Sequence, residues 1–437
     1  MCKGGALRIL ILNHNLIERG TYFRALKFAR FLAGKGHDVT FMPSSHRWYR
    51  TNRYKAGGVR VIETPSWSFL TGNDEGWSPL GLLYRLMTVL LKRYDVIWAF
   101  SHKPVDVLPA LTARLVRGGV YIADWCDWWT KGGLFDMIRQ YRDSDPHLAS
   151  WRKKVLNLYD RLEAPLEEFA PRKADMVTVI CRALEKRVRD IGIPADKILY
   201  LVSGADTETI TPLDKAASRR RIGLDTLFEP DGCPADAVFL GYTANYHMDE
   251  ELLLGTFSRV FRERPHVRVL VVGPEFRQTR ERFREWGLSL CDVAGGQKLR
   301  PGHNIIHFGR QPFKDVPHFL GASDILILPM ADSIYNRGRW PHKTGDYLAA
   351  GRPIVANAVG DIPALIEGGR AGCVAAPEPD AFAREIIRIA DEPSRWEEIG
   401  NNGRRIAETT LNWNTIGETA LNAISDLFKQ RSGCKTT

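Results

Sequence analysis

The chain contains no run of about 18 apolar residues, so no segment is long enough to cross a bilayer as a helix. It has no C-x-x-C pair, and its seven cysteines are scattered and odd in number, which suits reduced thiols in a cytosolic protein better than disulfides or a zinc site. The opening residues, Met1 to Ala6, lead straight into a strand-like run and lack the apolar core and cleavage site of a secretory signal. No nucleic-acid module is recognisable and the basic residues are dispersed, so nucleic acid is not an expected partner. No short-period repeat is present.

What remains is a soluble, globular composition of 44% hydrophobic and 26% charged residues over 437 positions, enough for two or three cores. Charge is uneven. Residues 1–200 carry 32 Lys and Arg against 20 Asp and Glu, whereas the remainder carries 29 against 31. A basic amino half suits an anionic partner such as lipid headgroups or a lipid-phosphate acceptor, or is simply a solvated Arg-rich surface.

Short apolar runs alternate with helical segments, the pattern of parallel sheets covered on both faces. Strands are expected at 7–13, 38–43, 59–63, 95–101, 120–124, 176–181 and 198–202, then at 237–242, 267–273, 304–309, 324–330, 353–357 and 372–375. Thr21–Gly34 reads as a helix with one broad apolar face, and residues 225–236 as a surface loop. Helix 79–93 carries many leucines and ends in Lys92-Arg93, so it reads as a buried crossover or as a membrane-surface helix.

The most informative stretch runs from Trp340 to Pro353, between two buried-looking strands. Pro341 and Lys343 open a short helix, Asp346 sits one turn in, and Ala-Ala-Gly-Arg-Pro closes it. Helix-start N–H groups around Thr344 and the Lys343 charge suit a diphosphate, and Asp346 suits ribose hydroxyls; the bland reading is a Pro-capped crossover helix. The stretch resembles the P-x-K-x-x-E-Y-x-A-x-G-x-P signature of retaining, nucleotide-sugar-dependent glycosyltransferases of the "glycosyl transferases group 1" family, with Asp in place of Glu. That resemblance implies an α/β protein of GT-B fold: two Rossmann-like doubly wound domains facing across a cleft. One domain would span 1–204 on the acceptor side, with the helix at about 413–437 packing back on it. The other would span 205–412 and bind the donor.

Other segments are similar to family elements. Loop 13–24 looks like the glycine-rich loop near the donor phosphates, with Gly20 allowing close approach and Arg24 reaching an anion. After strand 120–124, Asp124 and Asp127 emerge among Trp125, Trp128 and Trp129; one carboxylate is expected to orient the acceptor and the Trp rings to stack on sugar, unless Asp caps a helix and the rings pack a domain face. His102, at another strand end, is a candidate contact for the transferred sugar or a structural histidine. Segment 237–247 occupies the place where the family carries an Arg and a Lys on the diphosphate, but Tyr242 and His247 stand there, with Asn245 between them. Gly273 marks a nucleotide-edge turn, Gln311 a base neighbour, and Arg337 and Arg339 a source of positive charge. Gly338 stands where many relatives have a sugar-binding Glu.

The resemblance implies a metal-independent enzyme without a cofactor, using a UDP- or GDP-linked sugar as donor and a glycan or lipid-linked acceptor. Its expected place is the cytoplasm, with peripheral contact at the inner membrane face through the basic amino half. A nucleotide-sugar epimerase-like enzyme on the same fold, or a non-catalytic glycan- or nucleotide-binding subunit, are the alternatives.

Overall fold

The structure is a computed structural model, described for residues 5–47, 49–68, 72–73, 76–228, 236–244, 247, 249–300 and 302–431. It divides into two compact units: Met1–Ser203 with Arg337–Trp340 and Trp413–Thr437, and Gly204–Asn336 with Pro341–Asn412. Arg337–Trp340 thus groups with the first unit, although its place in the chain would put it in the second.

The first unit is built on one eight-stranded sheet. Its order is Ile198–Tyr200, Met176–Val179, Val120–Trp125, Val96–Ala99, Arg8–Leu16, Asp38–Ser44, Val59–Glu63 and Asn52–Ala56. All pairings are parallel except the last, a hairpin that the sequence reading did not anticipate because Asn52–Ala56 is largely exposed and polar. The central strands are apolar without alternation, and Ile9 to Leu12 and Val96 to Ala99 are all buried, as a sheet covered on both faces requires. Helix Trp413–Arg431 adds Ile416, Ala420 and Ile424 to this core.

The second unit holds a seven-stranded parallel sheet in the order Leu290–Asp292, Ile305–His307, Val267–Val272, Val238–Thr243, Ile325–Leu328, Ile354–Asn357 and Gly372–Ala375. Its core is rich in Val, Ile and Phe, with Phe257 and Phe382 fully buried. The expected loop at 225–236 begins inside a short helix, Leu224–Leu227, and residues 229–235 lie outside the described residues.

Cys126, Cys181, Cys291 and Cys373 are free and buried, whereas Cys2, Cys233 and Cys434 lie outside the described residues. Among the described residues no helix is long and apolar enough to cross a membrane. Helix Pro79–Leu91 buries only Gly81, Arg85 and Val89. Arg85 is fully enclosed, paired with Asp106 and donating to the Asn13 carbonyl and the Thr64 hydroxyl, so its charge is compensated where it sits.

Candidate functional site

In an open parallel sheet, ligands sit beyond the strand carboxyl ends where the strand order reverses. In the first unit that point is strand Arg8–Leu16, flanked by Asp38–Ser44 on one side and Val96–Ala99 on the other. A pocket there is lined by His14, Thr21, His102, Asp124, Asp127 and Trp129, among others.

The loop after the first strand is held by its own side chains. Asn15 accepts from the Thr21 N–H at 2.9 Å and its hydroxyl at 2.7 Å, and Asn13 donates to the same hydroxyl at 2.7 Å. Gly20 takes φ +50°, and a Cβ there would lie 2.7 Å from the Asn15 amide, so this one position needs glycine.

Arg24 does not reach an anion in solvent. It is fully buried, and its guanidinium donates to both Asp124 oxygens at 3.1 and 3.2 Å and to the carbonyls of Leu201 and Val202. Asp124 also accepts from Thr178 and Cys126. Its lone pairs are therefore committed inside the fold, and it is a structural counter-ion, not an acceptor-orienting group. Burial and the neighbouring Asp124 push the Cys126 thiol well up, which keeps it a weak nucleophile.

Asp127 differs. It keeps part of its surface exposed, yet its carboxyl is poorly solvated and its pKa is raised to about 7 by burial. Arg339 opposes the shift, while Asp124 and Glu167 add to it. Residues 127 and 339 form an isolated antiparallel bridge, and the Trp128 N–H donates to the Gly338 carbonyl at 3.0 Å. Arg339 is therefore placed beside Asp127 in the first unit, and Arg337 is exposed, with its carbonyl contacted by the Cys181 thiol at 3.5 Å.

His102 is buried, with Nε2 2.8 Å from Glu163 Oε1 and the ring edge-on to Trp129 at 5.3 Å. Lys103 Nζ lies 2.6 Å from the same oxygen, and Trp77 Nε1 donates to the other at 3.0 Å. Burial alone would raise the Glu163 pKa, but Lys103 and His102 outweigh it and hold it at about 2. One turn along the same helix, Ser150–Lys173, Glu167 accepts from the N–H groups of Trp129 and Thr130 at 2.8 and 3.0 Å and from Arg187 at 2.9 Å. Arg187 stacks on Trp125 and Trp128 at 4.9 and 4.4 Å, whereas Trp129 stands beside His102.

Glu163, Glu167 and Arg187 escaped the sequence reading. Asp160, Glu163 and Glu167 share one helical face, opposite Trp151, Leu158 and Leu162, and that acid-in, apolar-out pattern was the available signal.

In the second unit the order reverses at strand Val238–Thr243, between Val267–Val272 and Ile325–Leu328. Lys343 Nζ donates to the Thr243 carbonyl at 2.8 Å and lies 4.8 Å from the centre of the Tyr242 ring. His247 contacts the Pro274 carbonyl through Nε2 at 2.7 Å and the Tyr242 hydroxyl through Nδ1 at 3.4 Å. Burial lowers its pKa to about 4, so it stays neutral and adds no charge for a diphosphate. Asn245 lies outside the described residues.

Gly273 packs where a Cβ would meet the Ala244 carbonyl at 2.5 Å, and its N–H donates to the Gly309 carbonyl at 2.9 Å. Gln311 folds back to donate to the Phe308 carbonyl at 2.6 Å.

The helix Lys343–Ala349 is only seven residues long. The N–H groups of Thr344 and Gly345 already donate to the Pro341 and His342 carbonyls at 2.9 and 3.1 Å, so the expected open amide set is reduced and Lys343 itself carries the positive charge. The Thr344 hydroxyl is buried with no hydrogen-bond partner among the described residues, and Asp346 remains partly exposed on the Lys343 side of the helix.

Residues 235–392 match the family model for glycosyl transferases group 1, and residues 19–204 match that for a glycosyl transferase 4-like domain. The chain belongs to this glycosyl transferase family. It is 26% identical over 253 residues to a D-inositol 3-phosphate glycosyltransferase of Streptomyces avermitilis, covering 56% of this chain and 49% of that one. It is 42% identical over 282 residues to TuaH of Bacillus subtilis, a candidate teichuronic acid biosynthesis glycosyltransferase, covering 60% and 62%. The chain thus spans about half the length of the inositol-phosphate relative. Among solved structures, Anabaena HepE in complex with UDP-glucose matches with a TM-score of 0.65 at 14% identity, over 96% of this chain and 100% of that one. This likeness lies in the fold, two Rossmann-like parallel-sheet units of the GT-B class.

Proposed function

We propose that the protein transfers a sugar from a nucleoside diphosphate donor to an acceptor hydroxyl, with retention at the anomeric carbon, in the assembly of a glycan, polysaccharide or glycolipid. The observation that carries this reading is Lys343, held by the Thr243 carbonyl at the reversal point of the second sheet, inside the segment matched to the group 1 family. A leaving diphosphate develops negative charge, and a fixed ammonium at that edge stabilises it. Asp346, one turn further on, would take the ribose hydroxyls, and Gly273 and Gln311 border the same strand ends. UDP is favoured as the donor nucleotide because HepE, of like fold, was solved with UDP-glucose.

On the first unit, Asp127 would orient the acceptor hydroxyl, with His102, which lines the same pocket, facing the sugar. Asp124 is tied to Arg24 and cannot join Asp127 as a metal-ligand pair, so transfer in this reading relies on the fixed ammonium and not on a metal ion.

A binding subunit without turnover is the second reading, favoured by Tyr242 and the neutral His247 standing where cations are expected. Purified protein incubated with UDP-, GDP- and ADP-sugars and followed by thermal shift tests donor binding, and nucleoside diphosphate release with an acceptor panel tests turnover. Binding lost in Lys343→Ala together with release lost in Asp127→Asn supports transfer. Binding with no release across the panel supports the subunit. No shift with any donor at saturation overturns both.

A further inference from the structure

Two helices of the first unit are built inside out. Helix Pro79–Leu91 turns Arg85 inward and leaves Leu83, Met87 and Leu91 exposed at 58%, 46% and 74%. Helix Ser150–Lys173 turns Asp160, Glu163 and Glu167 inward and leaves Trp151, Leu158 and Leu162 exposed at 56%, 50% and 54%. Between them in the packing lies helix Pro104–Arg117, which touches both and exposes Leu115 at 80%. The Arg117 guanidinium donates to the Leu90 carbonyl, so the carboxyl-terminal ends of helices 79–91 and 104–117 lie side by side.

Exposed side chains of this size normally scatter singly, and a run of them on neighbouring helices marks an interaction surface. Charge identifies what it fits. Helix 79–91 has no carboxylate, and the only one on helix 104–117, Asp106, is fully buried. On helix 150–173 three carboxylates are buried and the fourth, Glu168, is held by Lys131 and Arg187. Lys92, Arg93, Arg117, Arg152, Lys154 and Arg161 are all exposed on the same elements. These three helices therefore present apolar residues with a cationic border and, among the described residues, no free carboxylate of their own.

We propose that this face docks the protein in the plane of an anionic lipid bilayer. Leu, Met and Trp side chains would enter the acyl boundary, while Lys and Arg stems lie along it and meet lipid phosphates. A second copy of the chain is a poor occupant, because it would bring two cationic borders together. The burial of Arg85 and of the three acids follows from the same logic: the polar groups are satisfied inside, which leaves the outer stripes free of groups that resist leaving water. The proposal stands apart from sugar transfer, and its readout is lipid binding alone.

The test is co-sedimentation of the full chain with phosphatidylcholine vesicles and with mixed phosphatidylglycerol–phosphatidylcholine vesicles. Binding to the mixed vesicles is expected, weakened by high salt, and reduced about tenfold or more in Leu83→Glu/Met87→Glu and in Lys92→Glu/Arg93→Glu at unchanged melting temperature. Because Lys92 and Arg93 are exposed, the charged pair keeps the test valid if the apolar pair lowers the melting temperature. Absence of binding to either vesicle, or equal binding by wild type and both variants, overturns the proposal. So does a dimer in sedimentation velocity that Leu83→Glu dissociates without any vesicle binding.

Discussion

Asp127 and Arg339 face each other across an antiparallel bridge formed by residues far apart in the chain, and the arginine works against the rise in the carboxyl's pKa. Its value of about 7, set first by burial, means that the folded protein holds this proton more tightly than the unfolded chain does. The resulting stability is fully present below the ordinary Asp range and is lost as pH rises through 7. Catalysis should run the other way. If the carboxylate orients an acceptor hydroxyl, kcat/KM rises with pH through about 7, and Arg339→Gln moves the inflection upward. Asp127→Asn should lower kcat by about 10²-fold or more. A flat profile between the acid and alkaline sides of neutrality would remove Asp127 from the reaction.

Glu163 supplies an opposite pH dependence. Its pKa is held at about 2, because Lys103 and His102 overcome the effect of burial. A depressed carboxylate contributes stability above its unfolded pKa, and that contribution is lost as pH falls through 4.5 toward 2. The shift corresponds to on the order of 3 kcal/mol. His247, held neutral down to about 4, acts in the same direction because the unfolded imidazole takes up its proton at higher pH. Thermal unfolding across acid pH should show a steep loss in the wild type and a flatter one in Glu163→Gln. Equal slopes would mean that the Glu163 pairing contributes little.

How far the sequence revealed this architecture depended on distance along the chain. Every strand expected from an apolar run is present, because near-continuous burial leaves an unambiguous local pattern in Ile9–Leu12 or Val267–Val272. The hairpin strand Asn52–Ala56 was missed for the converse reason, being polar and exposed. Motif spacing drew attention to Lys343, Asp127 and His102, but it could not tell which carboxylate the fold encloses with Arg24. Asp124 and Asp127 look alike in sequence, and only the buried Arg24, a hundred residues from Asp124, separates their roles. Glu163, Glu167 and Arg187 were hidden because each acts through a tertiary contact.

The Glu167–Arg187 pair should behave as a buried ion pair whose loss is felt in the loop. Arg187 meets both carboxylate oxygens at 2.9 Å, and the same oxygens receive the Trp129 and Thr130 N–H groups. Removing Arg187 leaves an uncompensated buried carboxylate, at about 3–5 kcal/mol, whereas removing the Glu167 charge leaves Arg187 paired with Glu168 at 3.3 Å and costs less. Arg187→Met and Glu167→Gln should each lower the denaturant midpoint, and the double variant should lose less than the sum. Strict additivity in that cycle would show the two groups to be uncoupled.

Tyr347 gives the sharpest test of the second unit, since the helix that carries Lys343 grips a single residue at two points. The Tyr347 hydroxyl accepts from the Thr243 N–H at 2.9 Å, while Lys343 Nζ donates to the Thr243 carbonyl at 2.8 Å. Burial raises the phenol pKa to about 12, so it stays protonated and remains available as a neutral partner. Tyr347→Phe removes only an oxygen, yet takes the partner from the part-buried Thr243 N–H, which costs up to about 1–3 kcal/mol. The melting temperature should fall. If Thr243 sets the position of Lys343, affinity for UDP measured by calorimetry should also fall, by about tenfold, the equivalent of ~1.4 kcal/mol. Lys343→Ala should cost more affinity and less stability, because its ammonium is only partly buried and leaves a carbonyl that water can reach. A Tyr347→Phe protein with lower stability but unchanged UDP affinity would confine Tyr347 to the core, and a Lys343→Ala protein with unchanged affinity would take the diphosphate away from this edge altogether.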